Sequence, residues 1–196
     1  GGNGLVFVFR TGPWAIGSGG AGMGYQGMTG NSLGVEFDTY DDDGSLNNWD
    51  IGADHMGLFK GGSIDHNITN PLNLSGVAVN ILPGVNNVEN CQFHSVEIIW
   101  DWINASSQTI TIKVDGVTSL TKNRDFINLD FAGNPTVLWG WTGSTNTIAG
   151  IDNDQIVGLA LEPDFTISAT NCPGQLINFT DNSFSQNPIT GWNWNF

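Results

Sequence analysis

The chain reads as all-β: a sandwich or barrel over residues 1–162, followed by part of a second β-module over residues 163–196. Helical periodicity is almost absent. Short runs rich in β-branched and aromatic residues recur instead, and clusters of Gly, Pro, Asn and Asp separate them, as in sandwiches and barrels.

In chain order the expected strands begin with "LVFVF" (5–9), a run too short for a core helix. "LGVEFDTY" (33–40) alternates, with Val35 and Phe37 on one face and Glu36 and Asp38 on the other. "HMGLF" (55–59), "GVAVNIL" (76–82) and "SVEIIWD" (95–101) follow. "TITIKV" (109–114) sets Ile110, Ile112 and Val114 opposite Thr109, Thr111 and Lys113, and it ends at Asp115-Gly116, a strong hairpin signal. "TVLWGWT" (136–142) and "IVGLALE" (156–162) complete the series, and a boundary is expected at Glu162-Pro163-Asp164.

Composition narrows the function classes. With 39% hydrophobic residues, eight Trp and eleven Phe, the 196-residue chain can build a substantial core. Its net charge of −14 arises from 5 Lys and Arg against 19 Asp and Glu. Such a surface repels nucleic-acid phosphates and anionic lipid heads and attracts divalent cations. No apolar run of about eighteen residues is present to span a membrane. Cys91 and Cys172, far apart, read as two thiols rather than a disulfide. The chain opens directly on strand-like sequence and shows no signal peptide, so it is expected to be a portion of a longer secreted or cell-surface polypeptide.

Acidic residues concentrate in "LGVEFDTYDDDGSLNNWDIGADH" (33–55). Carboxylates two apart on a strand stand roughly 6–7 Å apart at Cα and repel unless a cation lies between them. Asp41, Asp42, Asp43, Asp50, Asp54 and His55 follow. Oxygen ligands suit Ca²⁺, and an imidazole beside carboxylates suits a transition metal such as Mn²⁺ or Zn²⁺. The alternative is a solvated acidic face. Two motifs fail: the calcium-loop pattern read back from Gly44 meets Thr39 where an acid is needed, and "GMGYQG" (22–27) precedes a strand instead of opening a helix.

"NSLGVEFDTYDDD…WDIGADHMGL" resembles the metal-binding core of legume-type (L-type) lectins, in the branch found in bacterial surface proteins. "GGNGLVFVF", "GSGGAGMGY", "FHSVEIIWD…QTITIKVDG" and "PTVLWGWTGSTNT" match other parts of that family in order, so the resemblance covers residues 1–162, with the family's first strands absent. It implies a concanavalin-like jelly-roll β-sandwich. By position it places Glu36, Asp38, Asp50 and His55 on a Mn-type ion, and Asp38, the Tyr40 carbonyl, Asp42 and Asp50 on Ca²⁺. The Asp38-to-Asp50 loop is longer than in plant members, which leaves Asp41, Asp43 and Asn47 as alternative ligands. In that family the ions do no chemistry; they fix the loops that bind sugar.

The implied glycan contacts are Asn3, the Gly20, Ala21 and Gly22 backbone, the Tyr40 ring and the Asp42 side chain, with Thr142, Gly143 and Ser144 through Asn146 closing the pocket. Asn3 stands where the family has Asp and Asp42 where it has Asn, which removes the charge-assisted bonds a carboxylate makes to two hydroxyls. Residues 163–196 resemble the opening half of a PKD-type immunoglobulin-like repeat, carried by Cys172, Phe179, Asp181, Ser183, Trp192, Trp194 and Phe196. Such repeats are spacers.

Other residues read as structural. His94 opens a strand, Trp139 and Trp141 read as packing, and His66, in a loop, receives no role. The N-x-S/T matches at Asn67, Asn73, Asn104 and Asn178 read as chance in an Asn-rich chain. Two other functions stay open. Some glycoside hydrolases of the same architecture carry E-x-D-x-x-E on a strand, and Glu36, Asp38 and Asp41 have that spacing with Asp for the last Glu. A calcium-stiffened adhesin with no sugar pocket is the third. The leading expectation is a non-catalytic, Ca/Mn-dependent lectin module, extracellular or at the cell surface, whose partners are glycans rather than nucleic acid or membrane.

Overall fold

A computed structural model describes residues 2–13, 15–40, 49 and 51–145, together with two short strands, Phe165–Ile167 and Phe179–Asp181. The chain divides into two compact units, Gly1–Asp154 and Gln155–Phe196.

The first unit is an all-β sandwich of two antiparallel sheets. Strands β1 (Gly2–Arg10), β2 (Ser32–Asp38), β3 (His55–Lys60), β4 (Val79–Asn80) and β8 (Leu138–Thr145) form one sheet in the order β4-β3-β2-β1-β8. Strands β5 (Val96–Asn104), β6 (Ser107–Val114) and β7 (Val117–Arg124) form the other, in the order β5-β6-β7. A single helical turn, Phe126–Leu129, leads back towards β8, its first turn capped by Asp125, which accepts from Asn128 N at 3.1 Å.

Period-two alternation assembles the core. Phe7 and Phe9 of β1, Leu33, Val35 and Phe37 of β2, and Met56 and Leu58 of β3 pack as one buried cluster with Ile110, Ile112 and Val114 of β6 and Leu120 of β7. Val35 and Phe37 therefore face the core, as their alternation predicts. Trp141 packs at the edge of this cluster, its ring edge-on to Phe7 at 5.0 Å, while Trp139 stacks on Phe7 at 5.7 Å. The β6–β7 hairpin turns on Asp115-Gly116, with φ of 50° and 77° and Val114 opposite Val117. Two successive positive φ values suit a two-residue primed turn whose twist matches the strands.

Several expected strands shift. The run at 76–82 contributes only the two residues of β4. β7 was not among the expected strands; its sequence, "VTSLTKNR", is mostly polar, and only Leu120 is buried. The strand expected at 156–162 lies outside the described residues. In the second unit, β9 (Phe165–Ile167) pairs antiparallel with β10 (Phe179–Asp181), Phe179 opposite Ile167. Of the residues that carry the PKD-type resemblance, Phe179 and Asp181 lie on β10 and the others lie outside the described residues. Among the described residues no helix is long and apolar enough to cross a membrane.

Candidate metal centre

The second face of the five-stranded sheet is also buried. Every residue of β2 is buried, including Glu36 and Asp38, so the alternation that sends Val35 and Phe37 into the main core sends the carboxylates under a second layer instead of into solvent. That layer contains Met23, Tyr25 and Met28 from the glycine-rich loop and Ile64 from the loop after β3, packed with Val6, Val8 and Phe59 of the sheet. Tyr25 lies over Gly34, where an added Cβ would meet the ring at 2.7 Å. Burial pushes the Tyr25 phenol up to about 12; hydrogen bonds from Ser32 and the Gly62 backbone oppose this, and the negative charges of Glu36 and Asp130 add to it.

Register fixes what stands beside Glu36. Its cross-strand neighbours are Val6 on β1 and Gly57 on β3, and Asp38 lies opposite Gly4 and His55. Gly57 leaves a space that the His66 imidazole fills: a Cβ there would lie 2.9 Å from His66 Cε1 and 2.5 Å from the Phe59 ring. His66 Nε2 lies 2.7 Å from Glu36 Oε2, with both side chains buried. The Phe59 ring packs edge-on against His66 at 4.9 Å, and the His55 ring does so at 4.7 Å. His55 Nδ1 lies 2.9 Å from the Ala53 carbonyl, a bond that would make Nε2 the ligating nitrogen with an ion bound.

His66 is held by a loop that spends its asparagines on itself. Asn67 Oδ1 accepts from Thr69 N at 2.9 Å and from Thr69 Oγ1 at 2.8 Å, and Asn73 Oδ1 accepts from Ser75 N and Ser75 Oγ at 3.1 and 3.0 Å. Asn70 Nδ2 donates to Ser63 Oγ at 3.0 Å. The Asn67–Thr69 and Asn73–Ser75 bonds are Asx turns, which give two of the N-x-S/T matches a conformational reason.

Glu36, His55 and His66 thus offer ligand atoms that all lie within 4.8 Å of one another. The set fits a cation, because a carboxylate and two imidazoles suit a transition metal. Sequence reasoning brought Glu36 and His55 to one site and missed His66. Asp38 is buried next to His55 but stands outside this group, its Oδ1 accepting from Tyr40 N at 2.8 Å. Asp42 and Asp50, with Asp41, Asp43 and Asn47, lie outside the described residues. Asp54 is a structural anchor: Val88 N donates to its carboxylate, and Ile81 N donates to its carbonyl.

The other expected binding residues meet at the same end of the sheet, where β1 and β3 begin and β2 and β8 end. Asn3 sits at the irregularity between Gly2 and Gly4, only 3% exposed, and its carbonyl accepts from Thr39 N at 3.4 Å. Gly20, Ala21 and Gly22 form a 3-10 turn, tied to β8 by Gly20 N donating to Ser144 Oγ at 2.6 Å. Thr142 lies opposite Val6 and Gly143 opposite Leu5. Tyr40 is 44% exposed. His94, by contrast, lies far along the chain and binds the hairpin turn, Nδ1 to Asp115 Oδ2 at 2.6 Å. Cys91 is a free, exposed thiol. Compared with models of known protein families, the chain matches none.

Proposed function

We propose that residues 1–162 form a non-catalytic, metal-dependent carbohydrate-binding module of the L-type lectin kind, a jelly-roll in its finer topology, belonging to a secreted or cell-surface protein and followed by a PKD-like spacer. The observation that carries this reading is the burial of Glu36 against an imidazole pair at the sheet end where Asn3, the Gly20–Gly22 turn, Tyr40 and Ser144 also gather. In this reading a transition ion sits on Glu36, Asp38, Asp50 and His55, and Ca²⁺ is held by Asp38, the Tyr40 carbonyl, Asp42 and Asp50. Bound cations supply charge neutralisation for the carboxylates. The chain's own residues do the recognition: the 3-10 turn offers backbone groups, Ser144 fixes that turn, and the exposed Tyr40 ring offers an apolar face. Pre-organisation matters here because saccharides bind through few contacts.

The burial of Glu36 and Asp38 speaks against the hydrolase reading, in which two carboxyls must reach a substrate cleft. A glycan array run with and without EDTA tests the proposal. Binding lost in chelator and restored by Ca²⁺ with Mn²⁺ is expected; binding unchanged in chelator overturns the mechanism.

One observation favours a second reading. Asn3, the position expected to receive sugar hydroxyls, is buried, which suits an ion-stiffened adhesin without a sugar pocket. Silence on a broad array, with cation-dependent thermal stabilisation intact, selects that reading.

A further inference from the structure

We infer that His66 is a metal ligand, so that the transition-ion site is a two-histidine centre, Glu36–His55–His66, which prefers an imidazole-seeking ion such as Zn²⁺ to Mn²⁺. This rests on the metal-binding half of the function proposed above and is independent of any saccharide. The one-histidine ligand set expected from the sequence holds its ion mainly by carboxylates, a hard set suited to Mn²⁺. A second imidazole changes the site in kind, because nitrogen donors favour Zn²⁺ and its neighbours late in the first transition series.

Three observations converge on His66. Its Nε2 lies 2.7 Å from Glu36 Oε2. Two donors about 2.1 Å from one ion sit roughly 3.0–3.4 Å apart in octahedral or tetrahedral geometry, so this pair needs only a small opening to share an ion. The ligand atoms of all three side chains lie within 4.8 Å of one another. Finally, the site is shaped for the ring: Gly57 is the cross-strand neighbour of Glu36 and carries no side chain, and Phe59 and His55 pack edge-on against the imidazole.

A plain buried Glu–His pair is the competing account. It explains the 2.7 Å contact but assigns no purpose to a second imidazole brought to the same carboxylate, or to the Asx-turn loop that delivers His66. Exclusion of water is complete for both partners, each 1% exposed, which strengthens a charge interaction and favours a dehydrated, tightly held ion.

The experiment is titration of the metal-stripped chain with ZnCl₂, MnCl₂ and CaCl₂ by calorimetry, on wild type, His66→Ala, His66→Gln and His55→Ala, with X-ray absorption at the zinc edge on the zinc-loaded wild type. Expected are stoichiometric zinc binding tighter than manganese, at least about a tenfold loss of zinc affinity in both His66 variants, calcium affinity unchanged in them, and scattering from two imidazoles. The inference on His66 fails if the wild type binds a transition ion at one imidazole and the His66 variants bind it equally well; the metal-dependent reading then survives. If the wild type takes up no transition ion, both fail together. The absorption measurement needs no variant, so it decides the matter even if a His66 substitution prevents folding.

Discussion

The two faces of the five-stranded sheet are both buried, yet they are built from different chemistry. The face towards the second sheet is mostly apolar: Phe7, Phe9, Val35, Phe37, Met56 and Leu58 meet β6 and β7, and Lys60 at the end of β3, which alternation sets on this side, pairs with Asp130 at 3.0 Å. The opposite face starts from the same alternation but carries Arg10, Glu36, Asp38 and His55 on the strands, with Tyr25 and His66 laid over them. Burying polar groups costs free energy unless they find partners, and on this face Glu36 meets His66, Asp38 accepts from Tyr40 N and Arg10 donates to the Thr29 carbonyl. One side of the same strands carries the larger apolar core, and the other combines a smaller apolar cluster with buried charged groups and imidazoles.

That contrast can be broken most forcefully on the apolar side. Phe7 contacts Phe9, Trp139 and Trp141, and Phe7→Ala should destabilise the sandwich by about 3–5 kcal/mol in urea denaturation, while leaving metal stoichiometry unchanged in the folded fraction. The opposite pattern is expected from Gly57→Ala. Its new methyl collides with the Phe59 ring and crowds His66, so the stability loss should be smaller, about 1–3 kcal/mol, but transition-ion affinity should fall with it. If Gly57→Ala keeps full affinity, His66 is not placed by the gap at residue 57.

A third and smaller effect concerns pH. Folding raises the Tyr25 phenol to about 12, chiefly through desolvation, so the folded state keeps a proton that the unfolded chain releases near the ordinary tyrosine value of about 10. Stability contributed this way is constant below about pH 10 and is lost as pH rises from there towards 12. Absorbance at 295 nm followed against pH should show a late phenolate component that disappears in Tyr25→Phe. An early, complete ionisation would mean that the second layer does not bury this ring.

Much of the first face was legible in the sequence because alternation is a local signal. "VEFD" placed Val35 and Phe37 on the core side, and Asp115-Gly116 gave the hairpin turn with the positive φ values it needs. The second face was harder to read. A polar residue opposite a core position ordinarily faces water, and nothing within β2 reports that a glycine-rich loop and the loop after β3 fold across it. Glu36 and His55 were brought together by the family resemblance, and the register agrees by setting His55 opposite Asp38, two residues from Glu36, whereas His66 lies eleven residues beyond His55 in a loop with no period to follow. One faint signal was available: a glycine at position 57, inside an otherwise large-residue strand, marks a place where another group approaches closely. Short β4 and polar β7 were blurred because both depend on neighbours more than on their own composition.

The central claim, that the polar face closes around a cation, is tested most directly by anomalous diffraction from crystals of the chain purified without chelator and soaked in ZnCl₂. A strong zinc peak bonded to Glu36, His55 and His66 is the predicted result. Full-occupancy side chains at those three positions with no anomalous density between them would contradict it.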